Sequence, residues 1–233
     1  MKKESRSEMS KLRTMPFYFN PILSLASMKA SWHKAEKEYH NEKPSLFVSD
    51  FEYVLSEIKN NHTRPDTTRL AFSLPFSFLE NIHLIEKMEM CLAYYGYKKN
   101  QFLLTIDECC VLASEIIKER VKSLSFRGFI VGIDNFFFRQ GQAYNIFDLP
   151  FVSHLHIPKD VTKDLLCCDV SSNYVKGLLR LSEMTSTNII LDGVGPFEAA
   201  KIINGRSNVY CQERNLRSKV TLSELIYKEN KQV

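Results

Sequence analysis

Short apolar runs alternate along most of the chain with longer amphipathic segments. The run at 129–133 is typical of a strand buried on both faces, whereas apolar residues in 46–60 recur at helical spacing. The pattern predicts strands at 17–19, 69–74, 102–106, 129–133, 154–157, 188–191 and 210–212. It predicts helices at 46–60, 78–94, 108–124, 160–181 and 196–204, and a terminal helix opened by the capping-box sequence Thr221-Leu222-Ser223-Glu224. The first strand is expected to stop at Pro21.

Strands that alternate with helices indicate βα units and a mostly parallel sheet. The alternation continues without a low-complexity linker, which favours a single α/β domain of the (β/α)8-barrel type over two smaller domains. We expect this barrel to occupy residues 16–233 and to follow a basic N-terminal tail at 1–15. A chain of 233 residues, 44% of them hydrophobic, can bury a core of that size.

Charge and cysteine usage exclude several classes of protein. A net charge of +4 is too small to indicate direct binding of nucleic acid. No apolar run approaches the roughly 20 residues that span a bilayer, and no apolar segment behind the N-terminal charges indicates a secretory signal. None of the six cysteines forms a C-x₂-C pair, so a zinc site has little support, and reduced, mostly buried thiols in the cytoplasm are expected.

Common catalytic motifs are missing. The chain contains no G-x-x-x-x-G-K-[ST], no G-x-G-x-x-G and no G-x-S-x-G. In a parallel barrel, functional side chains come from the C-terminal ends of the strands, and polar residues do stand there. They are Asn20, Ser73, Thr105 with Glu108, Asp134 with Asn135, His156, Asp192 and Gln212.

In their order and spacing, these strand ends resemble EAL domains, the barrels that hydrolyse cyclic di-GMP with two divalent metals. The family motifs Gln-Pro-Ile, Asn-Leu-Ser, Glu-Leu-Thr-Glu, Asp-Asp-Phe-Gly and Glu-Gly-Val-Glu correspond here to 20–22, 72–75, 105–108, 134–137 and 192–195. Leu149-Pro150 and Gln212-Glu213 match the family's Leu-Pro and Gln-Gly pairs. The resemblance covers residues 16–228 and implies an EAL-type barrel.

The departures from the family pattern affect the residues that carry its chemistry. Lys34 stands in place of the glutamate that gives the family its name, and Ser73, Thr105 and Asn135 replace an asparagine, a glutamate and an aspartate ligand. The family's catalytic lysine corresponds to His156. Asp134, Gln212, the shorter Asp192 and the loop-supporting Glu108 remain close to type. These substitutions imply a vestigial pocket with no catalytic residues, no metal and no cofactor.

Binding of cyclic di-GMP is a separate question. The family's glycine-rich loop is here 137–143, in which aromatic residues replace glycines that allow a close backbone approach to ligand. Arg139 in this loop could contact a phosphate, but loss of nucleotide binding is the expected outcome. The Phe136-Phe137-Phe138 cluster is expected to pack in the core or, if exposed, to contact a protein.

Three functional hypotheses follow. Inactive, stand-alone EAL-like proteins of enterobacteria act as anti-activators: they bind the flagellar master transcription activator, block its access to promoter DNA and repress motility. The resemblance implies a protein-binding regulator of that kind, without direct nucleic-acid or membrane binding. The alternatives are a non-hydrolysing cyclic di-GMP sensor and an active phosphodiesterase with a rearranged site.

Overall fold

The computed structural model describes residues 17–37, 44–61, 68–136, 149–167, 177–180, 182–203, 208–213 and 220–231. The predicted tail at 1–15 and the loop at 137–143 lie outside these ranges. Within them, no helix has both the length and the apolar character needed to cross a membrane.

Strands and helices alternate as the sequence pattern predicts. The strands are β1 (Phe17–Ser24), β2 (Ala30–Lys37), β3 (Leu70–Ser73), β4 (Phe102–Asp107), β5 (Ile130–Asp134), β6 (His154–Ile157), β7 (Asn188–Asp192), β8 (Val209–Gln212) and β9 (Val220–Thr221). The helices are α1 (Pro44–Asn61), α2 (Phe76–Leu79), α3 (Ile82–Tyr95), α4 (Glu108–Ala113), α5 (Glu115–Phe126), α6 (Lys159–Cys167), α7 (Pro196–Ile202) and α8 (Leu222–Lys231). Helical turns also occupy 177–180 and 182–185, and Lys99–Gln101 forms a 3₁₀ turn.

The sheet closes into a barrel. Strands β2 to β8 pair in sequence order and parallel to one another. Strand β1 closes the ring by pairing antiparallel with β2 on one side and with β8 on the other, while β9 adds to β1 outside the ring. The predicted single (β/α)8-type barrel is therefore confirmed.

The prediction that the first strand stops at Pro21 was wrong. β1 continues to Ser24, and Pro21 lies opposite His33 of β2. On the other edge of β1, the partner strands pair at Tyr18–Phe19 and Leu23–Ser24, so Pro21 falls between two ladders. A residue without an N–H is tolerated at such a point.

The sequence pattern also missed β2. Its inward-facing buried positions are Trp32 and Lys34. A lysine at a buried position hides the alternation of apolar and polar residues by which a strand is recognised.

Two predicted helices are each broken into two. The helix expected at 108–124 is interrupted at Ser114, which adopts an extended conformation and whose Oγ accepts a hydrogen bond from the Ile117 N–H at 3.4 Å. In the helix expected at 78–94, Asn81 begins a new helix by accepting the His83 N–H at 3.1 Å. Serine and asparagine favour such caps because their side chains satisfy the unpaired N–H groups of a first turn.

The capping box of the last helix is confirmed. The Glu224 carboxylate accepts the Thr221 N–H at 2.7 Å, and the Thr221 hydroxyl accepts the Glu224 N–H at 3.3 Å. Helix α8 thus begins immediately after β9, and it packs against α1 and β1.

The core has two layers. Outside the barrel, Phe51 of α1 packs against Phe72 and Phe102, with ring centroids 5.0 and 5.4 Å away. Inside the barrel, a smaller apolar cluster consists of Ile22, Trp32, Ala71, Leu103 and Ile190. Helix packing stabilises the outer surface of the strands, whereas the interior cluster supports the layer of side chains above it.

Replacing Phe51 with alanine is expected to lower the free energy of unfolding by about 3–5 kcal/mol, because the ring is fully buried among other aromatic rings. Denaturant unfolding followed by circular dichroism measures this loss. Phe126→Ala is the matched control, since that side chain is 78% exposed and its removal should change stability by less than about 0.5 kcal/mol. Equal effects of the two substitutions would contradict the assignment of Phe51 to the core.

Candidate functional site

A ring of eight polar side chains lies in the barrel above the interior apolar cluster, with one residue from each of β1 to β8. We call it the polar ring; its members are Asn20, Lys34, Ser73, Thr105, Asp134, His156, Asp192 and Gln212. The strand registers place them together, since Asn20 is paired with Lys34, Ser73 with Thr105 and Asp192 with Gln212. Seven of the eight are less than one-tenth exposed, and Ser73 is the exception.

The carboxylate of Asp134 is the centre of this ring. Its Oδ2 lies 2.7 Å from the Lys34 ammonium, and it accepts hydrogen bonds from the hydroxyls of Ser73 at 2.7 Å and Thr105 at 3.0 Å. Its Oδ1 lies 2.6 Å from His156 Nδ1. Five side chains from five consecutive strands thus form one connected cluster around a single carboxylate.

Further contacts inside the cluster hold the donors in place. The hydroxyls of Ser73 and Thr105 are 3.1 Å apart, and the Lys34 ammonium lies 3.4 Å from His156 Nδ1. The lysine is nearly inaccessible, with 4% of its side chain exposed. A buried ammonium is tolerated only when it is paired and hydrogen-bonded, and Asp134 satisfies both requirements.

The cluster keeps Asp134 ionised. Burial by itself would raise the pKa of this carboxyl group, but the charges of Lys34 and His156, and the hydrogen bonds from both, outweigh burial. The pKa is held well below its ordinary value as a result. The side chain is therefore an anion near pH 7, and neighbours from this chain neutralise it.

Local sequence explains the position of Asp134. It ends β5, whose Gly132 lies one layer lower in the barrel, and a Cβ at Gly132 would come within 3.1 Å of His154 Cβ. The glycine leaves room for the His154 ring, which packs edge-on against Trp32 with centroids 6.2 Å apart. Burial, and secondarily the charge of His156, lowers the pKa of His154 to about 4, so this imidazole is neutral near pH 7.

The opposite side of the polar ring is less densely hydrogen-bonded. Within the described residues, both amide atoms of the buried Gln212 and the Oδ1 of Asn20 have no hydrogen-bond partner. Asn20 does donate through Nδ2 to Glu36 at 2.6 Å. Buried polar atoms of this kind are typically satisfied by internal water.

Two of the sequence-predicted residues do not join the ring. Asn135 follows Asp134 but is exposed, with a left-handed φ of 54°, and its amide donates to Asp107 Oδ2 at 2.7 Å. Glu108 is buried in the first turn of α4. Arg139 lies outside the described residues, as do Phe137 and Phe138, whereas Phe136 is fully buried, as expected of a packing residue.

Asn20 was expected at a strand end but not among the vestigial pocket positions, and the structure adds it to the polar ring. The signal for Asn20 was its position in Asn20-Pro21-Ile22, where the resembled family has Gln-Pro-Ile.

Mostly buried thiols were expected, but among the four described cysteines only Cys211 is buried and Cys109 is exposed. Hydrogen bonding to Asp107 is the main cause that raises the pKa of the Cys109 thiol to about 12.

Comparison with known proteins identifies the fold. No protein-family model and no curated protein matches the chain. Among solved structures, the EAL domain of Mycobacterium smegmatis DcpA superposes with a TM-score of 0.78 at 17% identity, over 94% of this chain and 98% of that one. The PaMucR phosphodiesterase in its c-di-GMP complex gives 0.76 at 14% identity, over 95% and 98%. The EAL domain of Xanthomonas citri FimX in complex with c-diGMP gives 0.72 at 14% identity, over 91% and 93%. The chain thus has the barrel fold of EAL domains.

Removing the buried cation by Lys34→Met is expected to lower the free energy of unfolding at pH 7 by about 3–5 kcal/mol, because Asp134 loses its principal counter-charge. The folded-state pKa of Asp134 lies below the unfolded value of about 3.9, so its contribution is present above that pH and is lost as the pH falls. The difference in the free energy of unfolding between wild type and variant should therefore become smaller below about pH 4. Urea unfolding at a series of pH values measures this difference.

Two further variants separate this effect from loss of a surface charge. Lys122→Met removes a 40%-exposed partner of Glu119 and should cost less than about 1 kcal/mol. Lys34→Met combined with Asp134→Asn should be more stable than Lys34→Met alone, because no unpaired charge remains. A fully additive loss in the double variant would contradict a direct Lys34–Asp134 interaction.

Proposed function

We propose that this protein is a catalytically inactive EAL-like regulator that binds the flagellar master transcription activator, prevents its binding to promoter DNA and represses flagellar gene expression and motility. The observation that carries the proposal is the saturation of the Asp134 carboxylate by donors from this chain. A barrel whose interior carboxylate is already neutralised is suited to acting through its surface. The fold and the small net charge of this protein are compatible with a protein partner.

The polar ring does not fit the two divalent metals used by catalytic EAL domains. Magnesium and manganese require several carboxylate or amide oxygens around each ion, and a two-metal hydrolase must also hold the attacking water. Here the Lys34 ammonium lies 2.7 Å from the central carboxylate oxygen, where it would repel a cation. Ser73 and Thr105 supply neutral hydroxyls that already donate to that same oxygen.

Asn135 also fails to complete a metal site. Its side chain turns to Asp107 and lies outside the cluster around Asp134. This chain is therefore proposed to lack the two-metal hydrolytic centre. Nucleotide binding is a separate question from hydrolysis, since two of the three solved structures compared above are c-di-GMP complexes.

Exposed apolar side chains support a protein partner. Phe126 and Ile116 of α5 are 78% and 66% exposed, and α5 borders a surface groove of about 630 Å³ that α4 and residues 149–151 also line. On another face, Tyr94 and Met90 of α3 are 82% and 62% exposed. Large exposed apolar and aromatic residues are common at protein interfaces.

The choice of partner rests on the resemblance to the enterobacterial anti-activators, which are inactive EAL-like proteins. Direct nucleic-acid binding is not proposed, because Lys and Arg exceed Asp and Glu by only four residues. Repression would then result from masking the activator, with no contact between this protein and the promoter.

The Lys34→Glu variant tests the inactive site. We expect neither wild type nor this variant to release the linear dinucleotide from cyclic di-GMP in the presence of Mg²⁺ or Mn²⁺. Ser73 and Thr105 still supply hydroxyls where the metals require carboxylate or amide oxygens. Glutamate at this position also places a second carboxylate beside Asp134, which disfavours folding of the variant. Circular dichroism establishes whether it is folded, and nucleotide products are separated by chromatography. Full activity gained from this single change would overturn the proposed correspondence of residues.

Mixing the purified protein with the purified activator is expected to give a stable complex on size-exclusion chromatography and to abolish the shift of promoter DNA in a gel assay. Phe126→Asp and Tyr94→Asp introduce a charge on the α5 face and the α3 face respectively, and loss of the complex in one of them identifies the contacting face. Absence of co-elution at micromolar concentrations would contradict the proposal. Calorimetry with cyclic di-GMP, carried out in parallel, distinguishes this regulator from a nucleotide sensor.

A further inference from the structure

Three side chains of types that commonly ligate metals lie at the junction of β4 and α4. They are not members of the polar ring. The ligand atoms of Asp107, Cys109 and Cys110 all lie within 4.8 Å of one another. Cys109 is exposed, and the other two are partly exposed, so an ion can reach them from solvent. The site is therefore open to solvent, in contrast to Asp134.

We propose that Asp107, Cys109 and Cys110 bind a thiophilic divalent cation of the zinc class. Two thiolates and one carboxylate are a ligand set that Zn²⁺ accepts, with water in the fourth tetrahedral position. Magnesium and calcium, which require oxygen ligands, are disfavoured by the two sulfur atoms. Binding converts two thiols to thiolates and releases two protons to solvent, with no change of oxidation state.

Local geometry brings the three side chains together. Asp107 is the N-cap of α4, and its Oδ1 accepts the Cys109 N–H at 2.9 Å. The two cysteines follow in the first turn, so the three ligand residues come from four consecutive positions of the chain. Small rotations of the side chains suffice to bring the ligand atoms to the separations of a tetrahedral site, since they are already within 4.8 Å of one another.

A neighbouring strand holds the carboxylate in place. Asn135, which follows the last residue of β5, donates its amide to Asp107 Oδ2 at 2.7 Å. Metal-bound carboxylates are commonly oriented by hydrogen bonds of this kind, and a carboxylate oxygen that accepts one hydrogen bond retains a second lone pair for an ion.

The site is distinct from the polar ring. Asp107 lies two residues beyond Thr105, and its register partner on β5 is Asp134, yet Asp107 has its hydrogen bonds with Asn135 and the first turn of α4. The substitutions that fill the ring with lysine and hydroxyl groups leave these three ligands untouched. Occupancy would therefore not restore a two-metal hydrolytic centre.

Titration of the reduced, chelator-treated full chain with Co²⁺ alone tests the proposal. We expect one equivalent to produce sulfur-to-cobalt charge-transfer absorption together with the visible bands of a tetrahedral ion, and Zn²⁺ to abolish both. Cys109→Ser and Cys110→Ser should each remove the charge-transfer absorption or reduce it at least two-fold, and Asp107→Asn should weaken the affinity at least ten-fold. Thermal unfolding of each variant confirms that the fold is retained.

The second adjacent cysteine pair provides the matched control. The double variant Cys167→Ser/Cys168→Ser should keep the full cobalt spectrum, and so should Cys91→Ser. A spectrum without charge-transfer absorption in wild type, or one that survives in both Cys109→Ser and Cys110→Ser, would overturn the site. These outcomes are independent of the partner and hydrolysis experiments, because neither of those experiments involves the three ligands.

Discussion

A buried carboxylate in the interior of a barrel must be neutralised, and in this protein the chain itself does so. Asp134 projects from β5 into a layer that is closed below by Trp32, Leu103 and other apolar side chains. Without counter-charges its ionisation there would be costly. Lys34 and His156, together with the hydroxyls of Ser73 and Thr105, supply the opposing charges and the hydrogen bonds. This interaction connects side chains from the five strands β2 to β6.

The fold and the chemistry of such a barrel depend on different residues. The barrel keeps the order and direction of strands that the solved EAL domains share, at 12–17% identity to the structures compared. Fold is conserved at this level because it depends on apolar packing around the strands, which many sequences can satisfy. Metal-dependent chemistry depends on a few side chains of specified charge, so the fold by itself does not assign that chemistry to this chain.

Placing an ion pair in the barrel has a structural consequence as well. A buried pair seldom stabilises a fold more than apolar residues of the same volume would, but it penalises any arrangement in which one partner is missing. The Lys34–Asp134 contact joins residues 100 positions apart in the chain. It thereby favours the alignment of β2 and β5 in which Lys34 and Asp134 meet in the barrel interior.

Much of the architecture was readable from the sequence by itself. The runs in β3 to β8 are short and apolar because these strands are covered on both faces, and the helices between them carry apolar stripes. The capping box at Thr221 and Glu224 was predictable because it requires only neighbouring residues. The strand-end residues were also identified in advance, since parallel strands carry their C-terminal ends to one side of the barrel.

The tertiary structure alone decided how these residues interact. Sequence spacing could not show that Ser73, Thr105 and Lys34 converge on one oxygen of Asp134, because they lie on different strands. Nor could it show β2, whose buried position is a lysine, or the turn of Asn135 away from the ring towards Asp107. Local patterns specify elements because they depend on nearby residues, whereas the charge balance of the barrel depends on residues brought together only by closure of the sheet.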